Sequence, residues 1–544
     1  MTHAVTCARR GVGARRALAL AGAAAVLPAL GAAGAAGQAP AERAVPQAVL
    51  DIMAAPKYQG ATWGLRAVDV ESGALVYSLG PDSLFFTGSV RKLFSVAEAL
   101  DALGPGHRFT TPVHRRGPLG RDGVLHGDLV VVASGDLTLG GRTTDSGAVA
   151  FTDFDHTESN SLGSAILTRP GPLAGIRTLA RRVAASGVRR VEGDVVVDDR
   201  LFRKFRVPNG NVLITPITVN DNLIDVTIRP TRPGRPARVD WRPRSAGFTV
   251  RATARTVRRG GRQTISLTAS RDGRTGVVRG SIPVGYRPGL PGVSTLVQTF
   301  TIADPAAYAR TVLIEALRRE GVTVTAPTVA ANPARLLPVR RSYPARTRVA
   351  RFVSPPYAEY SRLILKVTHN YGANLSHMYA GKTQGSTTRA AALAAERRTL
   401  VRRYGIPADG FRFPTNGSGS PDSQATPEAL MTLLVAMSRR PTFAPYFASL
   451  PSLGVDGSLA SVGRVPPNAV IAPAFGRVFA KTGTTIDQTG LKAQNFAGYL
   501  DAASGRRLAY VVYVNDVGSV KSVTDVIAVF EDEGEISALL RADS

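Results

Sequence analysis

The chain has 544 residues, a formal net charge of +27, a single cysteine, and 6% aromatic residues against 44% hydrophobic ones. One cysteine excludes a disulfide-stapled scaffold. Arginines scattered along the whole length, with few rings for base stacking, speak against nucleic acid, so the charge reads as a surface suited to an anionic cell envelope.

The N-terminus carries a targeting pattern. Arg9, Arg10, Arg15 and Arg16 precede an apolar run from Ala17 to Leu30, and Ala33, Gly34 and Ala35 supply small residues for cleavage. Roughly residues 1–35 therefore read as a secretory signal, and the mature protein is expected to be exported, periplasmic or extracellular, and associated with the cell wall. The residues around the paired arginines match a twin-arginine signal poorly, so general secretion fits better. The run is shorter than the roughly 20 residues of a membrane span, and no later stretch replaces it. Cys7 falls inside this segment, which leaves no cysteine nucleophile and no lipid-anchored cysteine.

Residues 61–79 alternate as two strands around Glu71-Ser72-Gly73. Leu93, Val96, Ala97 and Leu100 then recur at helical spacing behind Ser89, and Gly104-Pro105-Gly106 ends that helix. From His107 to Thr347 the texture changes to short strand-like runs at 129–133, 193–197, 224–228 and 264–267, separated by proline and arginine clusters. This segment reads as one or two inserted β-rich domains. Helical patterning resumes at 357–379, a hairpin is expected across 495–500 and 508–514, and an amphipathic helix at 520–540 closes the chain. Acidic residues on the polar face of that helix favour core packing over a membrane surface.

Three short strings carry the chemistry. Ser89 and Lys92 form the chain's sole Ser-x-x-Lys, and i, i+3 spacing on a helix sets their Cβ atoms roughly 5–6 Å apart, within reach for proton transfer. Only eight of the 67 basic residues are lysines. An arginine does not deprotonate in a protein and a partly buried lysine does, so a lysine one turn after a serine points to a general base. Taken alone the string reads better as an N-cap serine beside a solvated lysine. Lys481-Thr482-Gly483 leads a strand on which glycine lets a substrate backbone approach while lysine and threonine bind a carboxylate. Between the two stands the polar Thr368-His369-Asn370, at the start of an expected helix.

In this order the three strings resemble the Ser-x-x-Lys, Ser-Asp-Asn, Lys-Thr-Gly set of penicillin-binding proteins. The long insert adds a closer resemblance, to the D-alanyl-D-alanine carboxypeptidase/endopeptidase family, the class C low-molecular-mass penicillin-binding proteins. So do the strings Gly135-Asp136-Leu137-Thr138-Leu139, Gly193-Asp194-Val195-Val196-Val197-Asp198-Asp199, Val219-Asn220-Asp221-Asn222, Asn416-Gly417-Ser418-Gly419, Val455-Asp456-Gly457-Ser458-Leu459 and Ala480-Lys481-Thr482-Gly483-Thr484. The resemblance implies an α+β fold: a transpeptidase-like domain, an antiparallel sheet between helices, built from 45–106 and 348–540 and interrupted by the β-rich insert 107–347.

It also implies roles. Ser89 would be acylated with Lys92 as its base; Thr368 would relay a proton to the leaving amine and Asn370 would orient the substrate amide. Lys481, Thr482 and Gly483 would hold the terminal D-alanine carboxylate, and the N–H groups of Ser89 and Thr484 would form an oxyanion hole. Asp199 would stand near the pocket for the stem-peptide side chain. No metal or organic cofactor is required. The implied substrate is the peptidoglycan stem peptide, with cross-bridges also cleaved and β-lactams acting as covalent inhibitors. Two residues depart from the pattern: Thr368 stands for the usual serine, with a methyl that stiffens χ1, and His369 for the usual aspartate. They keep open a competing reading, a non-catalytic or weakly active envelope-binding protein of the same fold. A β-lactamase is disfavoured by the insert and by the lack of an obvious deacylating glutamate.

Other strings carry less. Gly381-Lys382-Thr383 lacks the earlier glycine of a phosphate loop, and no G-x-S-x-G occurs. Asp145, Asp153, Asp155, His156 and Glu158 lack regular metal-ligand spacing and read as a solvated loop.

Overall fold

The strand pattern at 61–79 forms one edge of a five-stranded sheet, antiparallel throughout, in which β1 (Thr62–Asp69) and β2 (Leu75–Leu79) lie beside strands from the far end of the chain. Those are β3 (Val478–Asp487), β4 (Gly490–Asp501) and β5 (Arg507–Val517), and the order across the sheet is β2-β1-β5-β4-β3. The computed structural model describes residues 42–544 apart from 340, 489, 519, 521 and 522; the targeting segment expected at 1–35 lies outside the described residues.

Strand periodicity divides the sheet's side chains between two cores. On β5, Val511 and Tyr513 face one side and Tyr510 and Val512 the other; on β4, Ala497 and Tyr499 oppose Phe496 and Leu500. The first side is covered by α1 (Lys92–Leu103), α2 (Tyr357–Lys366), α3 (Asn370–Thr383), α4 (Arg389–Tyr404) and α5 (Pro427–Ser438), whose apolar stripes include Leu93, Val96, Leu363, Leu375 and Leu433. On the second side lie the N-terminal helix Gln47–Met53 and α6 (Val523–Asp543), through Val49, Ile536 and Leu540. Among the described residues no helix is long and apolar enough to cross a membrane.

Between α1 and α2 the chain builds a separate hydrophobic core. Strands Arg108–Arg116, Asp128–Val132, Val195–Asp198 and Arg348–Pro356 make a four-stranded sheet, and Leu223–Arg229 pairs on both sides with Arg238–Arg242 and Leu296–Thr301. This segment also holds two helices that its strand-like texture did not suggest, Ala174–Ala185 and Pro305–Arg319. The first follows from topology: Asp128–Val132 and Val195–Asp198 run parallel, and a parallel pair needs a crossover, commonly helical. Ile176, Leu179, Ala180 and Val183 give that crossover its buried stripe.

A buried charge network ties this segment to the start of α3. Asn220, Asp221 and Asn222 all adopt positive φ, +51°, +52° and +58°, a run that asparagine and aspartate tolerate and β-branched residues do not. The turn presents Asp221 Oδ2 to Arg142 Nε at 2.8 Å and to His156 Nε2 at 2.9 Å. Arg142 also grips Asp155 with both terminal nitrogens, at 2.9 and 2.8 Å, and His156 Nδ1 lies 2.5 Å from Asp225 Oδ1. His369 Nε2 stands 3.3 Å from Asp221 Oδ1, while the Gly372 N–H donates to His369 Nδ1 at 2.9 Å and so caps α3. The solvated-loop reading therefore fails at Asp155 and His156, which are buried because their charges are paired, and holds at the exposed Asp145 and Asp153.

Burial alone would lower the His156 pKa, but the carboxylates of Asp225, Asp221 and Asp155 outweigh it and push the ring up to about 10. A raised folded pKa stabilises fully below the unfolded value of about 6.5 and loses that contribution as pH rises through the folded one. Melting temperature should therefore fall between about pH 6.5 and about pH 10, and His156→Gln should flatten that fall; parallel curves for the two proteins would refute the assignment. His369→Asp installs the residue of the family pattern and keeps a good helix cap, yet sets a carboxylate against Asp221. Denaturant titration should show a loss of about 3 kcal/mol, against a smaller loss for His369→Asn.

Candidate active site

Ser89 stands in the short turn Gly88–Arg91 that feeds α1, partly exposed, with Lys92 buried one turn on. Lys92 Nζ lies 2.6 Å from Ser89 Oγ and donates to Asn370 Oδ1 at 2.7 Å and to the Ser418 carbonyl at 2.9 Å. Burial pulls the ammonium down, with Arg91 in the same direction and Glu158 opposing, and the result is about 7. A lysine at that value is a competent base near neutral pH.

Three loops converge on this pair because glycine lets their backbones touch. A Cβ at Gly483 on β3 would lie 2.3 Å from the Thr87 carbonyl oxygen and 2.9 Å from Val90 N. One at Gly419 would lie 1.9 Å from the Gly88 carbonyl oxygen, and one at Gly88 would lie 2.7 Å from Thr484 N. The Asn416-Gly417-Ser418-Gly419 string wraps around its own side chain: Asn416 Oδ1 accepts from the N–H groups of Ser418 and Gly419 at 2.8 and 2.7 Å. Ser95 Oγ on α1 then donates to the Gly417 carbonyl at 2.7 Å, which fixes the Ser418 carbonyl over Lys92.

Lys481 is fully buried on β3 and donates to its neighbour's carbonyl, Thr482 O, at 2.7 Å. Its pKa lies well below the usual range, first through burial and then through the nearby Lys92. Two lysines thus share a site in which the nearby acid outside the Arg142 network is Glu158. A ligand carboxylate beside Lys481 would restore the balance. Thr482 Oγ1 donates to Ser458 Oγ at 2.9 Å. Ser458 follows Asp456, whose carboxylate pairs with Lys366 at the end of α2 at 2.6 Å.

Thr368 adopts φ +59°, a left-handed conformation that costs a β-branched residue about 1–3 kcal/mol. Its Oγ1 is buried and has no hydrogen-bond partner among the described residues. Asn370, the first residue of α3, donates from Nδ2 to Glu158 Oε1 at 2.8 Å. Asp199, half-buried, is paired with Lys204 at 2.9 Å. Gly381-Lys382-Thr383 ends α3 rather than opening a helix, which a phosphate loop would require.

The sequence reading missed Glu158, Ser418 and Ser458 as site residues. Ser418 and Ser458 lie within quoted strings and were legible as positions without roles. Glu158 was weighed only as part of an acidic run, and its partner Asn370 is remote in sequence. Glu98, His377 and Glu396 also come close enough together to hold a cation, but the Arg91 guanidinium donates to Glu396 at 2.5 Å and already supplies the positive charge.

Comparison with known proteins agrees with this geometry. Residues 45–533 match the model of the D-Ala-D-Ala carboxypeptidase 3 (S13) family. The D-alanyl-D-alanine carboxypeptidase of Actinomadura sp. (strain R39) is 28% identical over 502 residues, covering 88% of this chain and 82% of that protein. The fold is similar to that of penicillin-binding protein 4 from Haemophilus influenzae, with a TM-score of 0.66, 17% identity, and coverage of 91% of this chain and 99% of that one. The same Haemophilus protein complexed with a β-lactam gives a TM-score of 0.64 and 18% identity. With the family model spanning nearly the whole described chain, and Ser89, Lys92, Asn370 and Lys481 brought together, the chain belongs to the S13 family of D-Ala-D-Ala carboxypeptidases.

Proposed function

We propose that this chain performs its family's serine carboxypeptidase reaction through an acyl-enzyme on Ser89. The observation that carries the reading is the Lys92 ammonium, 2.6 Å from Ser89 Oγ and brought down to about 7 by burial. In acylation, Ser89 Oγ attacks the carbonyl of the penultimate D-alanine and Lys92 takes its proton. The N–H groups of Ser89 and Thr484 receive the oxyanion, since β3 runs against the nucleophile turn at Gly88 and Gly483. Lys92 passes that proton through the unpartnered Thr368 hydroxyl to the leaving D-alanine amine and is neutral again, and Asn370 binds the substrate amide. Lys481 and Thr482 hold the terminal carboxylate, whose arrival restores the positive charge that burial disfavours on Lys481. Water then attacks the ester carbonyl, Lys92 takes its proton, and the departing Ser89 oxygen receives that proton from Lys92.

The same reading takes the chain as exported, with the signal at 1–35 removed, the catalytic part assembled from 45–106 and 348–540, and the insert at 107–347. Its substrate is the peptidoglycan stem peptide, with cross-bridge cleavage as a second outcome, and β-lactams acylate Ser89 because they mimic D-Ala-D-Ala. The Haemophilus neighbour, whose complex holds a β-lactam, supports that choice of probe.

Intact-mass spectrometry after incubation with a penicillin should show one adduct on the wild type and none on Ser89→Ala; a folded wild type without adduct or drug turnover would leave the non-catalytic reading standing. Gly483→Ala must push β3 off the nucleophile turn, since the new methyl meets backbone rather than a flexible side chain. Stopped-flow acylation should slow by roughly 10²-fold, in keeping with displacements on the order of 1 Å.

A further inference from the structure

We propose that Glu158 is a positioning residue of the acylation step: the insert delivers its carboxylate to hold the Asn370 amide facing Lys92, and its charge governs how readily Lys92 sheds a proton. The inference rests on the acyl-enzyme reading above and deepens it.

The chemistry of the contacts fixes the orientation. An ammonium has only donors, so Lys92 demands the Asn370 oxygen, and an ionised carboxylate has only acceptors, so Glu158 demands the Asn370 amide nitrogen. Both demands are met, at 2.7 and 2.8 Å. A protonated Glu158 loses this selectivity, because its O–H donates to an amide oxygen, and an amide turned toward it presents N–H to the ammonium. The Glu158 charge and the Asn370 orientation therefore change together.

The surroundings leave Glu158 as the acid that answers the lysines. Lys92 faces it from α1 and Lys481 from β3, with Arg91 next to Lys92. Asp155, the nearest acid on its own segment, is engaged by Arg142 and lies near His156 and His369. Burial and the Asp155 charge raise the Glu158 carboxyl while Lys92, Asn370 and Lys481 pull it back, which leaves it at about 7, close to Lys92. Glu158 favours the charged form of Lys92, so removing its charge should make Lys92 a weaker acceptor that is free of its proton at lower pH.

Glu158→Gln removes the charge and, like the protonated acid, adds a donor, so it no longer dictates which way the Asn370 amide faces; Glu158→Ala removes the contact altogether. Eight lysines make 13Cε-lysine NMR tractable, with the Lys92 signal assigned by its loss in Lys92→Arg. We expect the Lys92 titration midpoint to fall by about one pH unit in Glu158→Gln, with the acid limb of penicillin acylation following it and the plateau rate lowered less than in Glu158→Ala. In Glu158→Ala, folded by its melting curve, the plateau should drop roughly tenfold because the amide is free to turn. A Lys92 midpoint unmoved in Glu158→Gln, or a wild-type plateau in Glu158→Ala, overturns the proposal. The NMR signal reads Lys92 without turnover, so an absent penicillin adduct counts against the acyl-enzyme reading while a shifted midpoint still supports this one.

Discussion

Everything near the site answers to one constraint, a lysine amine that must be buried and yet remain able to change its proton. An isolated ammonium in a protein interior costs several kcal/mol, and a carboxylate bonded directly to it would remove that cost by holding the proton in place. Lys92 is instead held by a hydroxyl, an amide oxygen and a backbone carbonyl, from Ser89, Asn370 and Ser418. Neutral acceptors lower the penalty without fixing the charge. These three groups come from distant parts of the chain, so the fold must bring separate backbones closer than side chains allow. That requirement accounts for glycine at 88, 419 and 483, where a Cβ would overlap backbone atoms of the adjoining loop.

The insert enters the same account through electrostatics. Besides building its own hydrophobic core, it sends Asp221 to His369 and Glu158 to Asn370, on consecutive residues at the start of α3. A helix start is where a rotation of a few degrees moves a side chain most directly, and both neighbouring positions are held from the same side. Buried pairs of this kind contribute little net stability, because desolvation offsets the attraction, but the loss of one partner is expensive. The network therefore makes one arrangement of α3 the accessible one.

Much of this was legible in the sequence, for identifiable reasons. The hairpins β1–β2 and β4–β5 and the α1 stripe follow from periods of 2 and 3.6, which do not depend on distant partners. Ser89 with Lys92 and Lys481 with Thr482 are local pairs whose spacing already fixes their geometry. The crossover helix Ala174–Ala185 was missed although Ile176, Leu179, Ala180 and Val183 carry its stripe, because Arg177, Arg181 and Arg182 between them resemble the basic clusters of the loops. Glu158 and the Arg142 network were hidden for another reason. A charge reads as solvated until its counter-charge is known, and here the counter-charges lie on strands and turns far along the chain.

Arg91 and Lys92 show how neighbouring basic residues in one interior take opposite roles. Both are fully buried. Arg91 donates to the Glu396 carboxylate at 2.5 Å and to Ser95 Oγ at 2.9 Å, and its guanidinium packs 3.9 Å from the Phe413 ring centroid. A planar cation that keeps its proton is suited to that fixed pairing. Lys92, next in sequence, has no carboxylate at bonding distance among the described residues, and Arg91 beside it helps lower its pKa. The permanent charge thus does two things: it anchors α4 to the first turn of α1 through Glu396, and it discourages a second charge on Lys92. Exchanging the two residue types would leave the formal net charge unchanged and place beside Ser89 a guanidinium that keeps its proton, which could not serve as the base proposed for Lys92.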